Sequence, residues 1–296
     1  MKIISRYILI PIVSILMVFL SNRLYSLKNT CKLYKNTEGV LVKDVNGFNI
    51  LIDINDDCVS RSILVHKQWE AHLQNAIKKL VHPNDRVLIM GSHIGYHAVL
   101  ISKIIGEGGK AWIFEANPHT YTFLKANIAL NDINNAAIYN KAVFSSNTTL
   151  SFNQITKGNT GGSNLFADYG KSKEPLAFEY TSIPVEAVSI DSMPDISSIN
   201  VIQMDIEGCE SDAVYGAKNL IDNSPSLIVI QEWSTAMIKD MDVYLKFWRS
   251  KGYRAARIED AYLIEMSDEE LKVPSHIDII WAKNLDQIMS SFNKKS

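Results

Sequence analysis

The sequence predicts an α/β fold, a doubly wound, Rossmann-like parallel sheet with helices on both faces. Three observations predict it. The apolar run Arg86-Val87-Leu88-Ile89-Met90 empties into two glycines, Gly91 and Gly95, and a helical pattern follows at once. A second apolar run, Ala111-Trp112-Ile113-Phe114, ends in Glu115. Strand-like and helix-like stretches then alternate to about residue 282. Repeated strand–helix units bury one helix face each against a shared sheet, and the sheet that results is mostly parallel.

The elements follow in order. Residues 40–45 and 48–54 are strand-like and flank Asn46-Gly47, a strong two-residue hairpin signal. Residues 69–80 place Trp69, His72, Leu73, Ile77 and Leu80 on one helical face. Pro83-Asn84-Asp85 turns the chain into the first core strand, 87–90. A helix over 95–105 is stopped by Gly106, and the second core strand is 111–114. Pro118 opens a helix to residue 130, as proline does at a first helical position. Strands are expected at 137–143, 178–188, 201–204 and 227–230, with a helix over 213–220. A helix over 243–251 and strands over 253–258 and 277–282 complete the series. Residues 145–170 are polar and glycine-rich, with a short strand near 150–152, and a loop of that length inside a compact domain reads as a lid.

Composition bounds the function. A chain of 296 residues with 47% hydrophobic content holds one large α/β domain plus an extension. The formal net charge of −2 offers no electrostatic footprint for nucleic acid. Cys31, Cys58 and Cys209 are scattered, which suits neither a zinc site nor a disulfide framework and points to a reducing compartment. Residues 7–20 are almost wholly apolar and follow Lys2 and Arg6. No small-residue cleavage site follows, so this run reads as an uncleaved membrane anchor over 1–28, with a cleaved signal and secretion as the alternative. Arg23, Lys28, Lys32 and Lys35 after the run place the globular part on the cytoplasmic side. The expected organisation is an anchor (1–28), a hairpin-and-helix extension (29–83), the α/β domain (84–285) and a polar tail (286–296).

Ligands of such sheets bind beyond the carboxyl ends of the strands. The candidate site residues there are Gly91, Ser92, His93 and Gly95 after the first core strand, Glu115, Ala116 and Asn117 after the second, and Ala142 after the third. The fourth ends in Asp205-Ile206-Glu207-Gly208-Cys209-Glu210 and the fifth in Gln231-Glu232-Trp233. Glycines let the backbone approach a ligand closely, and an acid at the tip of the second strand can accept from both hydroxyls of a ribose. The spacing G-x-x-x-G is not the dinucleotide pattern, which cradles a pyrophosphate with glycines two and then three apart. A nucleoside cofactor without phosphates fits better, and S-adenosyl-L-methionine is one. The gathering of acids on this edge suits its cationic sulfonium and amino groups.

The set Val87-x-x-x-Gly91-Ser92-His93-Ile94-Gly95-Tyr96, Phe114-Glu115-Ala116-Asn117-Pro118, Asn127 with Leu130-Asn131, Lys141-Ala142-Val143, Ser189-Ile190-Asp191 and Met204-Asp205-Ile206-Glu207-Gly208-x-Glu210 resembles the FkbM-type S-adenosylmethionine-dependent methyltransferases. The resemblance runs from about Trp69-Glu70 to Glu232. It implies a seven-stranded methyltransferase sheet and methylation of hydroxyl oxygens on sugars, glycans, lipids or small metabolites. It further implies that Glu115 holds the ribose, that Gly91 and Gly95 let the methionine part lie close, and that Asp205 and Glu207 line the reaction centre. The chain departs from the family at two positions: Ile89 stands where the family usually has Asp, and His93 where it usually has Asn.

Methyl transfer demands alignment of oxygen, methyl and sulfur and removal of the hydroxyl proton. Asp205 is assigned to positioning and Glu207 to the base. On an extended segment the two would project the same way. A carboxylate pair can also hold Mg²⁺, but no further ligand cluster is visible in the sequence, so no metal is assigned. Two other readings stay open: an NAD(P)-dependent oxidoreductase, and a degenerate, non-catalytic nucleoside-binding protein on the same fold, which Ile89 motivates.

Overall fold

The computed structural model describes residues 39–165 and 180–294. The expected anchor and part of the expected lid lie outside them. Among the described residues no helix is long and apolar enough to cross a membrane.

Strands β1 (Gly39–Val45) and β2 (Phe48–Asp53) form the expected hairpin. Its turn residues have φ of 50° at Asn46 and 82° at Gly47, the left-handed values that a two-residue turn requires. Helix α1 (Val59–His66), which the sequence did not signal, and α2 (Ala71–Leu80) lead into the core strand β3 (Arg86–Met90). Then come α3 (Tyr96–Ile105), β4 (Lys110–Phe114), α4 (Pro118–Leu130) and β5 (Ala136–Tyr139). Two asparagines of α4 clamp the hairpin to the domain. The Asn127 amide accepts from the Leu51 N–H at 2.6 Å and donates to Leu51 O at 2.9 Å, while Asn131 brackets Asn49 in the same way. The extension is therefore fixed to the domain by side-chain amides that pair with its backbone.

Strands β6 (Ala142–Val143), β7 (Thr148–Ile155) and β8 (Tyr180–Val188) make a small separate sheet in the order β6-β8-β7. The chain returns through β9 (Val201–Met204). The single helix expected over 213–220 is two, α5 (Glu210–Tyr215) and α6 (Lys218–Asp222). The break falls at Gly216, where a Cβ would lie 2.0 Å from the Phe144 carbonyl oxygen. Strand β10 (Ile228–Ser234), α7 (Met241–Ser250), β11 (Arg254–Ile258), β12 (Leu263–Met266), α8 (Asp268–Leu271), β13 (His276–Ala282) and α9 (Leu285–Phe292) follow. Helix α9 occupies most of the expected polar tail. Its Leu285, Ile288 and Phe292 are buried in the core, which makes it part of the domain.

The central sheet has eight strands in the order β12-β11-β13-β10-β9-β3-β4-β5, one more than the seven that the resemblance implied. The extra strand is β12, a short edge hairpin partner of β11. Strands β10, β9, β3, β4 and β5 run parallel, while β13, β11 and β12 pair antiparallel, so the sheet is mixed. One face packs against α2, α3, α4 and α9, the other against α5, α6 and α7. From β3 the chain winds outward to β4 and β5, then crosses back to β9 and β10. The carboxyl ends of β3 and β9 are therefore the switch point, where a crevice opens in such sheets.

Candidate active site

A cleft of about 370 Å³ opens at that switch point, within the size range of small-molecule sites. Its walls come from the loop after β3, the tips of β4, β9 and β10, and a 3₁₀ turn at Thr160–Gly162 that follows β7.

The loop after β3 is a run of left-handed backbone, with φ of 78° at Gly91, 50° at His93 and 92° at Gly95. Glycine is obligatory at 91 for a second reason. A Cβ there would lie 1.6 Å from the Asp205 carbonyl oxygen, so the ends of β3 and β9 touch through backbone alone. The Ser92 hydroxyl and the Nδ1 of His93 are buried in the cleft wall without a hydrogen-bond partner. The His93 Nε2 lies 2.8 Å from the Thr160 hydroxyl, which ties the loop to the 3₁₀ turn. Burial lowers the pKa of this imidazole and favours its neutral form.

Glu115 lies at the tip of β4 and lines the cleft as expected. Its carboxylate is braced by its own chain. Oε1 accepts from the Asn117 N–H at 2.8 Å and the Thr120 hydroxyl at 2.9 Å, and Oε2 accepts from the His93 N–H at 2.7 Å. The Ser92 backbone N–H also bonds this group. A carboxylate has about four acceptor positions, so a ribose diol would share them with these donors. Burial pushes the Glu115 pKa up to about 7, against the opposing pull of the hydrogen bonds.

Ala116 and Ala142 line the cleft; Asn117 and Gly95 do not, and the open side of Gly95 faces Leu124. Asn117 is the N-cap of α4, its side chain accepting from the His119 N–H at 2.9 Å. The sequence placed it at the site because it follows Glu115, but the cap turns its side chain away. Trp233, at the end of the fifth core strand, is fully buried on the opposite face, with its indole N–H donating to Leu271 O at 3.0 Å. Cys209 lines the cleft as an inert thiol, its pKa raised to about 12 by burial first.

The acids behave differently from the extended-segment expectation. Glu207 has φ of 53° and Gly208 of 100°, so the chain turns sharply after Asp205. That turn still brings the two carboxylates together, and the neighbouring strand adds a third. Carboxylate oxygens of Asp205, Glu207 and Glu232 lie within 4.8 Å of one another. Burial, then mutual repulsion, pushes Glu207 and Glu232 up to about 9 and Asp205 well above the usual carboxylate range. Two histidines of the cleft lining pair with its acids: His276 Nε2 lies 3.0 Å from Glu232 and His97 Nε2 3.0 Å from Glu70. Gln203 was not among the candidate site residues, and Glu232 was named at the end of its strand without a role. The sheet order places Glu232 beside Asp205, a relation that no local pattern encodes.

The family model for the methyltransferase FkbM domain matches residues 90–255. No curated protein matches the chain significantly. Solved structures that resemble it include TYW2 from M. jannaschii in complex with AdoMet, at 12% identity over 83% of this chain and 85% of that one, with a TM-score of 0.41. TYW2 from P. horikoshii in complex with MeSAdo is 13% identical over 84% of this chain and 73% of that one, with a TM-score of 0.44. A putative O-methyltransferase from Klebsiella pneumoniae is 10% identical over 72% and 78%, with a TM-score of 0.39. Likenesses this distant say nothing of substrate.

Proposed function

The chain belongs to the FkbM methyltransferase family, and from that premise we propose that it methylates a hydroxyl oxygen on a sugar, glycan, lipid or small metabolite. Its cofactor is S-adenosyl-L-methionine. The observation that carries the reading is Gly91, pressed against the Asp205 carbonyl so that the glycine loop and the acid cluster form one continuous wall of the cleft. The residues present fit the cofactor. The loop Gly91-Ser92-His93 lines the cleft with backbone and small side chains, and the Ser92 hydroxyl is buried there without a partner. The acids match its cationic groups.

When bound, the cofactor supplies a methyl group activated by a sulfonium. Gly91, Ser92, His93, Glu115, Ala116 and Ala142 would hold and orient it, with Gly95 shaping the loop at the helix start, and Asp205 would position the reacting groups. Glu207 would take the proton of the acceptor hydroxyl as that oxygen receives the methyl group. Ionised Glu207 is needed for that step, and a cation beside it favours the ionised form. The carboxylate-lined cleft favours a hydroxyl-rich acceptor over a polyanion, and with the net charge of −2 this argues against a nucleic-acid partner. The apolar run at residues 7–20 supports attachment of the enzyme to a membrane, its catalytic part on the cytoplasmic side, with secretion after cleavage as the alternative.

Calorimetry with S-adenosylmethionine, S-adenosylhomocysteine and NAD tests the reading, together with mass spectrometry of products from a lysate given labelled methyl donor. Binding of the first two and a labelled, hydroxyl-methylated product are expected. Tight binding of NAD alone would replace this reading with the oxidoreductase. Nucleoside binding without any product would favour the non-catalytic alternative, which the fully buried Ile89 motivates.

A further inference from the structure

Asp205, Glu207 and Glu232 converge from the ends of two neighbouring strands, and their ligand oxygens fit a common ion. Oxygens about 2.0–2.6 Å from one divalent cation lie at most about 4–5 Å apart, and the three here lie within 4.8 Å of one another. Carboxylates brought that close without a cation repel one another.

A second observation comes from below the cluster. Gln203 is 3% exposed, lines the cleft, and its Oε1 is buried without a hydrogen-bond partner. Its place follows from register. Gln203 pairs with Ile89 on β3 and with Ile230 on β10. Side chains at i and i+2 of a strand share a face, so Gln203 sits one step down the sheet from Asp205 and from Glu232, under the cluster. A buried amide without a partner costs free energy, and an amide oxygen is a ligand of the same hard class as a carboxylate.

We propose that Asp205, Glu207 and Glu232, with the amide oxygen of Gln203 beneath them, form a divalent-cation site that takes Mg²⁺ or Mn²⁺ and presents it to the acceptor's oxygens. All the donors are oxygen and none is thiolate, which selects a hard ion. Such an ion keeps several positions for water or substrate oxygen. A hydroxyl bound there would become more acidic and give its proton to the oxygen of Glu207 that does not bind the ion, and a neighbouring hydroxyl of the same acceptor can fill a second position. The acceptor class that follows is a vicinal diol or polyol, such as a sugar. The effect on the acceptor rests on the methyltransferase reading; the binding of the ion does not.

The test uses the full chain, freed of metal with chelator and titrated with Mn²⁺ by electron paramagnetic resonance, with and without S-adenosylhomocysteine. One Mn²⁺ per chain is expected, displaced by Mg²⁺ and not by K⁺, with S-adenosylhomocysteine binding alongside it. Glu232→Gln should weaken Mn²⁺ by about tenfold or more, and Glu186→Gln, at an exposed site away from the cluster, should not. Should Glu232→Gln fail to fold, Gln203→Leu supplies the second variant, with Mn²⁺ binding again expected to weaken. Absence of Mn²⁺ binding, indifference to these substitutions, or displacement of Mn²⁺ by S-adenosylhomocysteine would overturn the site. If S-adenosylhomocysteine binds in chelator and Mn²⁺ does not, only the cation inference falls. If neither form of the protein binds S-adenosylhomocysteine, the methyltransferase reading falls, whatever Mn²⁺ does.

Discussion

The backbone N–H of His93 donates to Oε2 of Glu115 across 2.7 Å, so the acid at the tip of β4 holds the glycine loop at the tip of β3 in shape. The other oxygen of the same carboxylate receives the Asn117 N–H and the Thr120 hydroxyl at the start of α4. One side chain thus joins three elements at the cleft, and its contribution to cofactor binding is inseparable from its contribution to loop geometry. Glu115→Ala is expected to weaken S-adenosylmethionine by roughly 1–3 kcal/mol through lost hydrogen bonds and the donors left unpaired. It should lower the melting temperature as well. Calorimetry and a thermal melt measure both. Normal cofactor binding by the variant would move the pocket elsewhere.

Much of this arrangement was legible because it is local. Asn46-Gly47 announces its turn within two residues, and the apolar run 87–90 announces a buried parallel strand. Pro118 at the first position of α4 is equally explicit, and Asn117 before it caps the helix and does not line the cleft. Three other features were not legible. Glu232 reaches Asp205 only because β10 lies beside β9, a pairing fixed by burial on both faces of the sheet. Strand β12 is only four residues long and half exposed at the sheet edge, too short for a period to show. The apolar positions of α9 recur at 285, 288, 289 and 292, but polar residues between them and Lys294-Lys295 after them gave the stretch the look of a tail.

Two glycines separate backbone strain from steric contact. Gly91 and Gly252 have φ of 78° and 81°, yet a Cβ at 252 meets nothing within 4 Å. Gly252→Ala is therefore expected to cost about 1 kcal/mol from strain alone and to leave cofactor binding intact. Gly91→Ala must also push β3 away from the Asp205 carbonyl, so it should abolish S-adenosylmethionine binding and cost several times more stability. Denaturant unfolding and calorimetry on the two variants check the contrast. Equal effects would mean that the contact between β3 and β9 is not tight.

Phe292 tests whether the last helix belongs to the domain. Its ring is buried, with the Lys79 ammonium 4.4 Å from the ring centroid, and the same Lys79 donates to the Phe292 carbonyl at 2.8 Å. Phe292→Ala should destabilise the protein by about 3–5 kcal/mol, the usual loss for a buried aromatic. A shift under about 0.5 kcal/mol in urea unfolding, typical of a surface site, would return these residues to the status of a tail.

The acid cluster makes the ligand-free protein sensitive to alkali. Glu115 is raised to about 7, and Glu207 and Glu232 to about 9, with Asp205 raised as well, all by burial first. In the unfolded chain these groups titrate near 4.3, so between that pH and about 9 the folded state binds more protons. Stability therefore declines as pH rises across this window, being fully present below the unfolded value and lost through the folded ones. His93, whose pKa is lowered, acts in the opposite sense and removes stability below about 6.5, where the unfolded imidazole takes a proton. The melting temperature should peak in mildly acid solution and fall steadily towards pH 9. Glu207→Gln and Glu232→Gln should each flatten the alkaline limb, since neither glutamine ionises. Melts from pH 5.5 to 9.5 without cofactor or metal measure this directly. A melting temperature that rises through pH 9 would mean that these four carboxylates are already ionised at neutral pH.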